Sequence, residues 1–171
     1  MKKISGNLVD LFLDGEFDVL IHGCNCCMTM GAGIAGEIAV KIPEALIADQ
    51  NYGKFKDINK LGNYSMGYVR RQLDDKSSIG IVVNLYSQYL PGKDLCEEAL
   101  LLGFIKLSKN IKLGLKIGIP AIGCGIAGGV WDEISPKIEN IMQGHDITYV
   151  EFVNNNLILD ERETKIEKDK Y

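Results

Sequence analysis

Two copies of one glycine-rich hexamer are the residues whose types and spacing best suit ligand chemistry. Residues 31–36 read GAGIAG and residues 123–128 read GCGIAG, so the copies differ only at Ala32 and Cys124. Each matches G-x-G-x-x-G, a pattern in which missing side chains let a phosphate group approach the main chain. A dinucleotide-binding fold needs one such turn, so the pair predicts a cleft in which two loops hold one diphosphate.

The spacing around the first hexamer argues against the dinucleotide-binding fold. That fingerprint puts its first glycine directly after a strand, and an acidic residue about twenty residues further on. Here eight residues separate His22 from Gly31, and no strand that ends in Asp or Glu follows at that distance. Tight strand-to-helix turns explain one hexamer well, but two copies at equivalent strand ends favour phosphate binding.

His22 is the histidine that the sequence places at a strand end facing this cleft. Hydrolysis of a phosphate ester needs a positioned water, charge stabilisation and, ideally, an acid or base. We therefore interpret His22 as an orienting or acid–base group, and a histidine hydrogen-bonded beneath the loop explains it equally well. A phosphatase with a thiolate nucleophile needs an arginine after the cysteine, and none lies near Cys24, Cys26 or Cys27. We therefore interpret these cysteines as small buried hydrophobic residues.

Short apolar segments predict six strands, and helical spacing predicts three helices. The strand segments are residues 2–5, 17–22, 65–72, 79–84, 116–120 and 147–153, of which 65–72 suits an edge strand. The helical segments are residues 32–48, 94–111 and 131–142. Strands that alternate with helices predict a mostly parallel sheet covered on both faces. Ligands of such sheets bind at the carboxyl ends of the strands, where both hexamers lie.

Bulk composition narrows the class of protein and of partner. A chain of 171 residues with 46% hydrophobic content suits one globular domain with a sizeable core. The net charge of −4 argues against a surface that tracks nucleic acid. We find no pattern of a signal peptide and no apolar run of membrane-spanning length in this sequence. The odd number of cysteines, five, favours reduced thiols. We therefore expect a cytoplasmic protein without a membrane partner. We also expect a monomer that needs neither metal nor cofactor.

The hexamers and their surroundings resemble a macrodomain, the ADP-ribose-binding module. The matching segments follow the family order and spacing: Gly6-Asn7-Leu8, residues 22–25, 30–35, 83–86 and 120–129, and Trp131. The resemblance implies an α/β protein with a three-layer α/β/α fold around a mixed, mostly parallel six-stranded sheet. It implies a macrodomain in residues 1–153, and the polar residues 154–171 then form a C-terminal tail.

The resemblance also implies roles for single residues. Asn7 takes the place of a family Asp that accepts the adenine amino group, and its amide oxygen is still an acceptor. Asn25 matches a residue that contacts the distal ribose, and we assign it to catalysis together with His22. Tyr86 either stacks on the nucleotide or only covers the sheet edge. The expected ligand contacts are Asn7, Leu8, Gly31, Ala32, Gly33, Ile34, Asn84, Tyr86, Ile122, Gly123, Cys124, Gly125, Ile126 and Ala127.

Within the family, the two glycine loops resemble those of the stand-alone ADP-ribose 1''-phosphate phosphatases. The related branch that removes ADP-ribose from glutamate uses a Lys and an Asp where this chain has Tyr86-Ser87-Gln88 and Ala127. We therefore expect a metal-independent hydrolase that releases the terminal phosphate of ADP-ribose 1''-phosphate. Two alternatives stand: a module that binds ADP-ribose or a related nucleotide without turnover, and a hydrolase that removes ADP-ribose from modified macromolecules.

Overall fold

A six-stranded sheet with helices on both faces forms the part of the chain that the computed structural model describes, residues 1–74 and 76–153. The expected tail at 154–171 lies outside the described residues. The strands are β1 (Lys2–Ser5), β2 (Val19–Asn25), β3 (Tyr64–Leu73), β4 (Lys76–Gln88), β5 (Lys116–Ile119) and β6 (Asp146–Glu151). The helices are α1 (Leu8–Leu13), α2 (Gly33–Lys41), α3 (Pro43–Asn51), α4 (Glu97–Asn110) and α5 (Trp131–Ile141), with a 3₁₀ helix at Ile58–Lys60.

The sheet has the strand order β1-β6-β5-β2-β4-β3. All neighbouring strands run parallel except β3, which pairs antiparallel with β4 at one edge. This arrangement confirms the expected mixed, mostly parallel sheet and the edge position of residues 65–72. The carboxyl ends of β2, β4, β5 and β6 therefore meet at one side of the molecule, where loops from four neighbouring strands surround a common space.

Two hydrophobic cores, one on each face of the sheet, make the fold three-layered. On one face, α1, α2 and α3 contribute Phe12, Ile38 and Ala45. On the other face, α4 and α5 contribute Phe104 and Ile138. The three-layer α/β/α expectation is confirmed, and burial on both faces explains why β2 and β4 read as continuous apolar runs. Within the described residues, we find no helix that is long and apolar enough to cross a membrane.

The prediction of a single helix over residues 32–48 was wrong, because the chain breaks at Pro43. Ile42 has φ −134° and ψ 74°, outside the helical region, and Pro43 occupies the first turn of the separate helix α3. Proline lacks an N–H group and clashes with the preceding turn, so it suits the start of a helix and not its interior. Sequence reasoning also missed α1, which begins after Asn7.

Two predicted strand ends lie too early in the sequence. Strand β2 continues past His22 to Asn25, and β4 continues past Asn84 to Gln88. Both strands are buried on both faces, so no alternation of apolar and polar residues marks where they end. Residues that we placed in loops above the sheet therefore lie within it, which changes the direction of their side chains.

Candidate functional site

A cleft of about 590 Å³ opens at the carboxyl ends of β2, β4, β5 and β6, and both glycine hexamers line it. The first hexamer leads from β2 into α2, and the second follows β5. Eleven of the expected site residues lie in its wall: Asn25, Gly31, Ala32, Gly33, Ile34, Ile122, Gly123, Cys124, Gly125, Ile126 and Ala127. The two copies of the motif thus contribute to one site.

Backbone N–H groups without partners line the cleft from both hexamers. In the first, the N–H groups of residues 31–35 donate to no acceptor within the described residues, because they precede or begin α2. In the second hexamer, the N–H groups of Gly123, Gly125, Ile126 and Ala127 likewise donate to no acceptor within the described residues. Such groups, together with the positive end of the α2 dipole, favour an anion. The geometry suits a diphosphate without any cationic side chain.

Two glycines of the cleft are not required by the fold. A Cβ atom at Gly31 or at Gly125 meets no atom within 4 Å, and neither residue has a positive φ. Gly123 differs, because its φ is +77° and a Cβ there lies 2.9 Å from Leu95 Cδ1. Glycine at positions 31 and 125 therefore leaves the main chain open toward the cleft, as close approach of a ligand requires.

The second glycine loop is held in place by its own main chain and by its neighbours. Gly129 N donates to Gly123 O at 2.8 Å, and Leu95 N donates to Ala127 O at 3.3 Å. Ile126 is 60% exposed, and its Cδ1 lies 3.9 Å from the Cβ position of Gly33 in the first loop. The two loops therefore approach each other through one apolar side chain, and they form opposite walls of the same space.

Asn25 lies in the cleft wall, but its amide is engaged within its own loop. Its Nδ2 donates to Thr29 O at 3.1 Å and to Thr29 Oγ1 at 3.0 Å, and its Oδ1 accepts from Cys27 N at 2.8 Å. A side-chain amide that bonds the backbone two residues on is an Asx turn. Asn25 thus shapes the loop between β2 and α2 at the end of the cleft nearest Gln88.

His22 does not face the cleft, and its expected position was wrong. The side chain is fully buried in β2, and its Nε2 lies 2.7 Å from Asn84 Oδ1. Asn84 Nδ2 donates to Ala45 O and to Ser65 Oγ, so Oδ1 must accept and Nε2 carries the proton. Burial lowers the pKa of His22 to about 4. The ring is neutral at pH 7, and the structure supports our alternative of a histidine hydrogen-bonded beneath the loop.

Asn84 and Tyr86 are also turned away from the cleft, contrary to our expectation. Both are fully buried within β4, and Tyr86 Oη donates to Asp49 Oδ1 on α3 at 2.9 Å. Tyr52 stacks on the Tyr86 ring with 5.3 Å between the centroids. Residues two apart on a strand share a face, so a strand that runs to Gln88 directs both side chains toward α3. Tyr86 is a core residue of this face.

Asn7 and Leu8 lie outside the cleft wall as well. Asn7 caps α1, with its Oδ1 accepting from Asp10 N at 3.1 Å and its Nδ2 donating to Glu37 Oε1 at 2.8 Å. Leu8 is buried in the core beside the sheet. The amide oxygen that we expected to bind adenine therefore stabilises the start of a helix.

Solved structures share this fold. The macrodomain of Thermus aquaticus DarG aligns with a TM-score of 0.64 at 19% identity, covering 88% of this chain and 96% of that one. A Bacteroides thetaiotaomicron protein of unknown function aligns with a TM-score of 0.71 at 20% identity, and the alignment again covers 88% of this chain and 96% of that one. Thermosipho africanus DarTG in complex with ADP-ribose aligns with a TM-score of 0.63 at 16% identity, and the alignment covers 82% of this chain and 39% of that one. The fold is therefore the macrodomain fold.

One relative is similar in sequence over nearly its whole length. A bacteriophage T4 protein, described as an uncharacterized 17.5 kDa protein in the tk-vs intergenic region, is 34% identical over 155 residues. The match covers 89% of this chain and 96% of the phage protein. The chain belongs to the family of this phage protein. No family model matches the sequence.

The list of expected site residues left out both ends of the macrodomain cleft. At one end, the wall continues with residues that follow or end β4, namely Ser87, Gln88, Pro91 and Gly92. At the other end, it continues with residues 149–152 at the end of β6. Their position could have indicated these residues, because each segment lies at the carboxyl end of a strand that neighbours β2 or β5 in the sheet.

The described wall of the macrodomain cleft carries little charge. It contains no Lys, Arg, His or Asp within the described residues, and its Glu151 pairs with Lys3 Nζ at 3.0 Å. Burial raises the pKa of Cys124 to about 11 and that of Cys24 well above its ordinary value. At neutral pH both thiols are therefore protonated, so neither supplies a thiolate nucleophile. The cleft is equipped to bind and orient a ligand mainly through the backbone.

Proposed function

We propose that this protein binds an ADP-ribose derivative in the cleft, with the diphosphate between the two glycine loops. The observation that carries the proposal is that two loops of one cleft each contain N–H groups with no acceptor within the described residues, at residues 31–35 and at Gly123, Gly125, Ile126 and Ala127. Glycine at 31 and 125, where the fold does not need it, supports close approach of a ligand. The solved complex of Thermosipho africanus DarTG with ADP-ribose, on a similar fold, supports this choice of ligand.

The proposed ligand lies across the carboxyl ends of the strands, from β6 to β4. The strand order β6-β5-β2-β4 puts Tyr149 and Phe152 at one end of the cleft and Asn25, Gln88 and Gly92 at the other. Aromatic side chains suit the flat adenine base. Hydroxyl-rich ribose suits the polar end near Asn25, in line with the resemblance. We therefore assign adenosine to the β6 end and the distal ribose to the β4 end.

The reaction that we propose is hydrolysis of ADP-ribose 1''-phosphate. Water attacks phosphorus, the bond between phosphorus and the 1''-oxygen breaks, and that oxygen takes up the proton, which leaves ADP-ribose and inorganic phosphate. A loose phosphoryl-transfer transition state depends mainly on positioning and charge stabilisation, and little on a strong base. A cleft rich in N–H donors suits this reaction, and Asn25 holds the loop beside the distal ribose.

A second candidate is binding of ADP-ribose without turnover. It is favoured by the described cleft wall, which carries neither histidine nor an ionised thiol for acid–base work. The two candidates share the ligand-binding mode and differ only in the fate of the terminal phosphate. One pair of measurements on the same preparation therefore separates them.

The test combines phosphate release with calorimetric binding. The full chain is incubated with ADP-ribose 1''-phosphate, and release of inorganic phosphate above a heat-inactivated sample is expected. Binding of ADP-ribose is measured in parallel. Binding of both compounds with the phosphate ester recovered intact contradicts the hydrolase and supports the binding module. Binding of neither compound contradicts both.

A matched pair of variants ties the result to the cleft. Gly125→Glu places a negative side chain into open space between the loops, so we expect loss of binding with an unchanged melting temperature. Val40→Glu adds the same charge on α2 at a residue that is 84% exposed and outside the cleft wall. It is expected to bind as the unmodified protein does. Equal binding by both variants would contradict the proposed location.

A further inference from the structure

The cleft lacks a cation in its described wall, and one lysine lies directly beside it. A diphosphate satisfies the N–H groups of the two loops, but a terminal phosphate ester adds further negative charge at the distal ribose. Lys93 follows Gly92, which lines the cleft at the β4 end, where the proposed orientation puts that ribose. Lys93 is exposed and makes no ion pair within residues 1–74 and 76–153.

The loop that carries Lys93 is held by side chains at both of its ends. Gln88 Nε2 donates to Leu90 O at 2.8 Å and to Gly92 O at 3.2 Å. Asp94 Oδ2 accepts from Leu90 N at 2.7 Å and from Tyr89 N at 3.1 Å. These four bonds fix the backbone on either side of Lys93. The lysine therefore projects from a preorganised turn, which lowers the entropy lost when it binds a ligand.

The stem of Lys93 lies against the second glycine loop. A Cβ atom at Gly128 would lie 2.6 Å from Lys93 Cγ and 2.9 Å from its Cε, so glycine at 128 makes room for this side chain. Gly128 follows Ala127, and both Ala127 and Ile126 line the cleft. The lysine stem thus lies beside the cleft wall: its chain neighbour Gly92 lines the cleft, and so does Ala127, the chain neighbour of Gly128.

We propose that Lys93 is the specificity residue for a phosphate on the distal ribose. Its ammonium group pairs with the terminal phosphate of ADP-ribose 1''-phosphate and makes no contact with unmodified ADP-ribose. This inference rests on the proposed cleft and on its proposed orientation. It extends them, because it names the group that distinguishes the phosphate ester from ADP-ribose. Lys93 acts on recognition of the substrate and holds no proton that the reaction moves.

The test compares two ligands across matched lysine variants. In Lys93→Gln we expect the KM for ADP-ribose 1''-phosphate to rise about two- to fivefold, as for an exposed charge pair, with little change in kcat. Inhibition by the product ADP-ribose is expected to stay unchanged. Lys93→Arg keeps the charge and retains most of the preference. Lys112→Gln is the control, because it removes the same charge from an exposed turn at the opposite end of β5.

Salt supplies a second readout that a merely structural role does not produce. Exposed charge pairs are screened by ions, so the preference of the unmodified protein for the phosphate ester should fall as salt rises. In Lys93→Gln the remaining preference should be independent of salt. Equal effects of Lys93→Gln on both ligands, or no effect on either, would overturn the proposal.

The outcome also separates this inference from the proposed reaction. If the unmodified protein releases no phosphate, both ligands are compared by calorimetry, and a preference for the ester that Lys93→Gln removes still supports the role of Lys93. If phosphate is released at the same KM in Lys93→Gln, the reaction stands and the role of Lys93 is wrong. A protein that binds neither compound overturns both.

Discussion

The protonation state of one buried residue, His22, links the stability of the protein to pH. Desolvation lowers its pKa from 6.5 to about 4 in the folded state. Between these values the unfolded chain binds a proton that the folded chain does not, so acid favours unfolding. The contribution of neutral His22 is complete above pH 6.5 and is lost as the pH falls toward 4. We expect this residue to reduce the free energy of unfolding by about 2 kcal/mol between pH 7 and pH 5.

The variant His22→Gln isolates this effect from every other contribution that acid makes to unfolding. Glutamine keeps an N–H donor for Asn84 Oδ1 but takes up no proton. Urea unfolding at pH 7 and at pH 5 measures the loss of stability in each protein. The loss should be smaller in the variant by about 2 kcal/mol. Equal losses in both proteins would show that His22 does not titrate as the structure requires.

His22 also illustrates how far the role of a single residue can be predicted from the sequence. The ending of FDVLIHG at a glycine indicated a strand end, and a histidine there suggested chemistry. The partner that decides its role, Asn84, lies 62 positions further along the chain. A sequence does not show which strands pair or in which register. Buried hydrogen-bond partners of this kind are therefore outside the reach of local patterns.

Among the elements, α3, the 3₁₀ helix at Ile58–Lys60 and β4 are joined by a buried ion pair. Lys60 Nζ lies 3.2 Å from Asp49 Oδ1, and both side chains are 1% exposed. Tyr86 Oη donates to the same carboxylate oxygen, and Lys60 Nζ lies 4.3 Å from the centroid of the Tyr86 ring. Within the described residues, Asp49 Oδ2 has no hydrogen-bond partner. The carboxylate therefore depends strongly on the lysine.

Removal of the lysine alone should destabilise the protein. Lys60→Met leaves Asp49 as an uncompensated buried charge, for which we expect a loss of about 3–5 kcal/mol in the free energy of unfolding. Asp49→Asn combined with Lys60→Met removes both charges and should recover part of that loss. Chemical denaturation of the three proteins measures the difference. If the single variant is as stable as the unmodified protein, the pair is not buried as described.

Element types were more predictable than element ends. The β-branched and apolar runs located all six strands, because this signal is local. The ends of β2 and β4 were not located, since strands buried on both faces lack alternation. The break at Pro43 was readable from the sequence, but the regular spacing of Ile38, Ile42 and Leu46 across it outweighed the proline. The short helix α1 offers too few turns for a periodic signal.

For the molecule as a whole, topology explains why the cleft was predictable and its end residues were not. Parallel strands bring their carboxyl ends together, so two glycine loops after two such strands must meet. The residues at the cleft ends come from β4 and β6, whose positions in the sheet become known only with the strand order. Four main-chain N–H groups of the second loop, those of Gly123, Gly125, Ile126 and Ala127, have no acceptor within the described residues because of the fold of the loop, and no residue type encodes that.

Because three strands, the loop after β5 and helix α2 all contribute residues to the cleft wall, a ligand held there should stabilise the entire domain. At a ligand concentration a hundred times Kd, we expect the free energy of unfolding to rise by about 2.7 kcal/mol. For a domain of this size that corresponds to a rise in Tm of roughly 5–10 °C. Thermal unfolding with ADP-ribose measures the shift, and Gly125→Glu should show none. A similar shift in Gly125→Glu would place the ligand elsewhere, because that variant fills the space between the loops and leaves the remaining surface intact.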